Sequence, residues 1–139
     1  MNYEVVYKTL ETKLTALVPN ASVRLPNRPP ADDTDFDIDV SVSEIGSTIH
    51  TEASTKRDVS INLLLSVPVS IGTESIHNIS SRIVTALSPQ QATPLTPIQK
   101  GDFWAGKYFV RINSASSKQQ NITDTRCRIN VRISATIYT

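Results

Sequence analysis

Apolar positions near the start of the chain recur with helical spacing. Tyr3, Val6, Tyr7, Leu10, Leu14 and Leu17 share one side, while Glu4, Lys8, Glu11 and Thr12 fill much of the rest. The spacing predicts a helix with Asn2 as its N-cap, stopped after Leu17 by Pro19. Four prolines from Pro19 to Pro30 follow. They leave room for one short strand over 22–25 and then an extended surface linker.

From Phe36 the period changes to two. Phe36, Ile38, Val40 and Val42 alternate with Asp35, Asp37, Asp39, Ser41 and Ser43, which predicts a strand with one buried face. The polar stretch 46–58 reads as a long loop or a weak hairpin tip. A second strand follows, with Val59, Ile61, Leu63, Leu65, Val67 and Val69 on one face. Leu64 interrupts its polar side, and Pro68 marks its end or an edge position. Helical spacing returns with Ile76, Ile79, Ile83, Val84 and Leu87, behind Thr73 as N-cap and Glu74 at the positive end of the helix dipole. Prolines 89, 94 and 97 predict an extended connector. Two more strands close the chain around the polar loop 115–124. In the last, Cys127, Ile129, Val131, Ile133, Ala135 and Ile137 alternate with Arg126, Arg128, Asn130, Arg132, Ser134 and Thr136.

The predicted order is α-β-β-β-α-β-β. Strands with one buried face need a cover, and two amphipathic helices supply it. The expectation is therefore a single α+β domain over 1–139, a two-layer sandwich with a mostly antiparallel sheet of four to five strands. A length of 139 residues is enough for one core without staples. The formal net charge of +1 argues against a dedicated duplex-DNA binder. One cysteine leaves no internal disulfide and fits a reducing compartment. No apolar run approaches the roughly 20 residues of a membrane span, and the first residues lack a signal-peptide pattern.

The chemistry worth weighing starts with DTDFDIDV, residues 33–40, where carboxylates fall at every second position. Asp33, Asp35, Asp37 and Glu44 match positions 1, 3, 5 and 12 of a calcium loop, but Ile38 stands where that loop needs glycine. Strand spacing sets same-face residues about 7 Å apart, too far for a loop-type site. A solvent-facing strand also offers no burial to raise a catalytic carboxyl. A row of like charges on a strand calls for compensation. Lys107, Arg111, Arg126, Arg128 and Arg132 supply a basic row of the same kind on the last two strands. Asp35, Asp37 and Asp39 are expected to pair with it, within a subunit or across a subunit boundary. His50 and His77 are too few for a typical zinc site. Cys127 has the parity of a buried structural thiol. Phe103 and Trp104 read as an aromatic lid on the core, or as an exposed contact patch. No phosphate loop, nucleophile elbow or paired-cysteine spacing occurs. No enzyme and no cofactor is expected.

The arrangement as a whole resembles the tail terminator proteins of long-tailed, non-contractile, lambda-like bacteriophages. The matching parts run through nearly the full chain: the opening helix NYEVVYKTLETKLTAL, the segment VRLPNRPP, the long strand and helix DVSINLLLSVPVSIGTESIHNISSRIVTAL, and the closing pair GDFWAGKYFVRI and RCRINVRISATIY. The likeness is one of order, length and texture, so no individual functional residue is carried over. The arginine-rich last strand departs from the family's texture. The resemblance implies a virion structural protein made in the host bacterial cytoplasm. It implies a homo-oligomeric ring, commonly a hexamer, at the head-proximal end of the tail tube. Such a ring ends tube polymerisation and offers the docking surface for the head-completion, or neck, protein. DNA passes through its lumen without specific binding. Loops 46–58 and 114–124 would be the contacts with tube or neck. Alternatives are another neck or tail structural protein, such as the tube subunit, and an α+β adaptor unrelated to phage.

Overall fold

The computed structural model describes residues 3–26, 36–51, 54–71, 73–88, 101–118, 121–122 and 125–139. The expectations for Asn2, Asp33, Asp35 and the two proline-rich connectors lie outside them. Helix α1 spans Glu4–Leu17 and helix α2 spans Thr73–Leu87. The strands are β1 (Ser22–Arg24), β2 (Asp37–Thr51), β3 (Ser54–Pro68), β4 (Phe103–Ala105), β5 (Tyr108–Ser117), β6 (Asn121–Ile122) and β7 (Arg126–Tyr138).

The helices form where the apolar spacing places them. Val6, Leu10 and Leu14 are buried along α1; Ile76, Ile83 and Leu87 are buried along α2. α1 ends as expected before Pro19, with the Val18 N–H still donating to the Leu14 carbonyl at 2.8 Å. Both helices lie on one face of the sheet, α2 over β3, β5 and β7, and α1 against β1 and β4. Every odd-numbered side chain of β3 from Val59 to Val67, and of β7 from Cys127 to Ile137, is buried beneath them. Cys127 is a buried free thiol, as its parity predicts. Val69 is not part of this row. Pro68 ends β3, the chain enters a short 3-10 turn over Val69–Ile71, and Val69 is exposed.

The α+β class and the two helices stand, but the sheet is larger and less regular than expected. Six strands run in the order β1-β2-β3-β7-β5-β4 in a curled, mixed sheet, and β6 pairs with β7 beside that path. β1 is parallel to β2, with Ser22 opposite Asp37 and Arg24 opposite Asp39. A connection of about a dozen residues separates them, enough for a parallel crossover where a hairpin would need only a few. β4 escapes a periodicity argument because it is three residues long. It joins β5 by a two-residue turn in which Gly106 takes φ +61°, a conformation that suits glycine. Gly101, at φ +93°, lies so close to the Leu87 carbonyl that a Cβ there would stand 2.5 Å from its oxygen.

The stretch 46–58 is also mostly strand. Ladder pairs run from Gly46 with Asp58 out to Thr51 with Ser54, after a bulge between Glu44 and Gly46. Backbone hydrogen bonds carry the hairpin through this polar stretch. β5 likewise continues to Ser117, into what reads as loop.

Two tyrosines fasten α1 to this hairpin. β1 covers β2 only at Asp37–Asp39, so the outer edge of β2 is open beyond that point. The Tyr7 hydroxyl accepts the Val42 N–H there at 2.8 Å, blunting the edge. Tyr3 stands just before α1 without capping it; its hydroxyl donates to Glu44 Oε2 at 2.9 Å. Arg57 holds the same carboxylate, with Nη1 at 3.0 and 3.1 Å from its two oxygens. Burial, then the hydrogen bond and charge of Glu44, raise the Tyr3 hydroxyl above its usual value near 10, against an opposing effect of Arg57. The folded-state value exceeds that of the unfolded chain. Tyr3 therefore contributes fully below about pH 10, and its contribution is lost as pH rises through the raised value. Tyr3→Phe should accordingly show a shallower loss of thermal stability above pH 10 than the parent chain, in melts followed by circular dichroism.

Candidate functional site

The face of the sheet turned away from the helices carries the even-numbered side chains of β3 and β7. Two constellations sit at its opposite ends. The first gathers around Asp37, which is only 8% exposed rather than solvent-facing. Its Oδ2 accepts hydrogen bonds from Arg24 Nη2 at 3.0 Å and from Arg126 Nη2 at 3.2 Å. Arg126 also donates through Nε to Ser66 Oγ at 2.8 Å and through Nη2 to the Ser66 carbonyl at 3.0 Å. Arg24 Nε lies 3.9 Å from Asp39 Oδ1, and the Asp39 side chain is about half exposed. These residues, with Leu64 and Arg128, line a shallow cavity of about 250 Å³.

Register explains this pairing. β3 lies between β2 and β7, so the acidic and basic rows are two strands apart, about 10 Å. Only a long side chain leaning over β3 can reach an aspartate across that gap. Arg126 bridges it because it sits opposite Pro68 at the strand end and leans across Ser66, the register partner of Asp37. The parallel placement of β1 brings Arg24 within reach of both Asp37 and Asp39. A three-residue strand has too little alternation to assign its side chains to a face; only its basic residue near an acidic strand hinted at the role of Arg24.

Among the described residues, Arg126 is the one of the five expected basic partners that meets Asp37 or Asp39. Arg111 turns to Asp102, with Nε 3.3 Å from Oδ2 of a carboxylate whose side chain is fully buried, and Asp102 Oδ1 accepts the Ile112 N–H at 3.1 Å. The Lys107 ammonium lies 5.7 Å from the Tyr108 ring centre. Arg128 and Arg132 are exposed, and among the described residues neither forms an ion pair.

The second constellation is aromatic. Trp104 on β4 lies opposite Phe109 on β5, Phe109 opposite Tyr138 on β7, and Tyr138 opposite Lys56 on β3. Ring centres are 5.1 Å apart for the first pair and 6.4 Å for the second. Phe103 is buried, whereas Trp104 is 60% exposed, so the lid reading holds for the first aromatic and the contact-patch reading for the second. Below this row, Thr136 donates to Asp58 Oδ1 at 3.0 Å and accepts from Asn113 at 2.9 Å. His77 is exposed on α2.

The chain matches no family profile and no curated protein. A solved structure bearing only a serial designation is similar to it, with a TM-score of 0.66, at 13% identity over 99% of this chain and 96% of that one. At that identity the likeness establishes a shared fold over the whole chain and nothing further. No helix is long and apolar enough to cross a membrane among the described residues.

Asp37→Ala would set two guanidinium groups side by side without their common acceptor. The substitution should cost about 2 kcal/mol, less than the loss of a fully buried pair because the site is partly solvated. Arg128→Ala should change stability by under about 0.5 kcal/mol. Urea titration of the two variants beside the parent chain measures both.

Proposed function

We propose that this chain is the subunit of a ring that caps the head-proximal end of a non-contractile phage tail tube, ends tube polymerisation and presents the docking surface for the head-completion protein. The observation that carries the reading is the sheet face left uncovered by the helices. Its buried acid, Asp37, is already neutralised inside the subunit by Arg24 and Arg126, while Arg128 and Arg132 project from the same face without an acidic partner among the described residues. Head-to-tail contacts that close into a ring bring two different surfaces of neighbouring copies together, and exposed arginines fix their register. The α+β class and the two helices fit the resemblance from which the reading starts, and the β2–β3 hairpin suits a contact with tube or neck. Ile45, at the β2 bulge between Glu44 and Gly46, is 69% exposed and adds an apolar anchor. DNA crosses the lumen of such a ring without base-specific contact, and the subunit works in the virion as a structural component.

Native mass spectrometry at low and high salt, with negative-stain images of the same sample, tests the proposal. Closed rings that loosen as salt rises are expected. The double variant Arg128→Glu, Arg132→Glu should lower the ring fraction at least tenfold while melting within a few degrees of the parent. Open filaments would indicate a tube subunit instead. A monomer that also leaves tubes of the cognate tube protein uncapped would overturn the reading.

A further inference from the structure

We infer that the aromatic row Trp104–Phe109–Tyr138, with its flanking cations, is a binding site for single-stranded nucleic acid. The site lies at the end of the uncovered face opposite to Arg128, and the inference stands apart from the ring reading. Its basis is the register: three aromatic side chains on three adjacent strands fall into one line across the sheet, and Lys56 continues it on a fourth. Trp104 is the most exposed aromatic side chain among the described residues, which is an unfavourable position for so large an apolar surface without a ligand.

Charge decides which ligand suits this row. Arg111 packs over the Phe109 ring, its guanidinium carbon 5.6 Å from the ring centre, and Lys107 stands in the turn that links Trp104 to Phe109. Of the nearby acids, one is buried and the other half-buried. The Asp102 side chain is fully buried against the Ile112 N–H and Arg111, and Asp58 receives the Thr136 hydroxyl. With Lys56, Lys107 and Arg111 set against the half-buried Asp58, the solvent-facing balance of the site is aromatic and cationic. A ligand made of planar rings joined by regularly spaced anions complements both properties. In a duplex the base faces are stacked on one another and closed to the side chains. Unpaired bases can lie against Trp104 and Phe109 while phosphates meet Lys56, Lys107 and Arg111.

The chain has one tryptophan, so its intrinsic fluorescence reports on this row directly. Titration with a twenty-nucleotide oligothymidylate at low salt should quench Trp104. A labelled strand of the same sequence should gain anisotropy, with a log–log salt slope of about −2 for three cations. The paired duplex should bind several-fold more weakly. Trp104→Ala changes an exposed side chain and should leave folding intact; with the labelled strand it should weaken binding about tenfold. Phe109→Ala should weaken it while keeping the reporter, and Arg82→Ala on α2 should have no effect. Absence of quenching and of anisotropy change would overturn the inference. So would equal competition by a poly-glutamate peptide, which would identify an acidic protein segment as the occupant.

Discussion

The pairing of β3 with β7 is the constraint on which the rest of the molecule depends. Val59 faces Ala135, Ile61 faces Ile133, Leu63 faces Val131, Leu65 faces Ile129 and Val67 faces Cys127, and all ten are buried. A slip of one residue on either strand would exchange faces. On β7 it would turn Arg126, Arg128 and Arg132 into the core and expose Ile129, Val131, Ile133 and Ile137. Burial therefore fixes the register. The register in turn sets which polar groups meet on the other face, where Arg126 reaches Ser66 and Asp37, and Tyr138 lines up with Phe109 and Lys56.

The uncovered face thereby has two unlike ends. At the Asp37 end one carboxylate serves two guanidinium groups, while Asp39 and the outer arginines of β7 remain outward. At the Trp104 end, acids are buried or bonded and the rings stay outward. α1 has a different task. Through Tyr7 and Tyr3 it caps the open edge of β2 at Val42 and Glu44.

Much of this was legible wherever a buried face enforces alternation. The core rows of β3 and β7, the core stripes of both helices and the end of α1 at Pro19 all followed from spacing. Legibility failed where that enforcement stops. The outer hairpin is held by its backbone ladder, which leaves no trace in side-chain pattern. β4 is shorter than two periods. The parallel entry of β1 depends on a crossover rather than on its own residues. For the site, opposite charge on two strands was readable, but their spatial order was not. With β3 between them, the acidic row met Arg24 from an unexpected strand and only the end of the basic row.

The Asp37 junction also bears on the order in which the fold comes together. Asp37 and Arg126 are 89 positions apart, and the strand between their own strands must be in place before they can meet. Closing so long a loop is entropically costly, and this contact alone returns little of that cost. On that ground the junction is expected to form late, on a finished sheet, rather than in the folding nucleus. Interactions that form after the barrier act on the rate of opening. In that order of events, Arg24, Asp37 and Arg126 act on the lifetime of the folded chain more than on the speed at which it is reached.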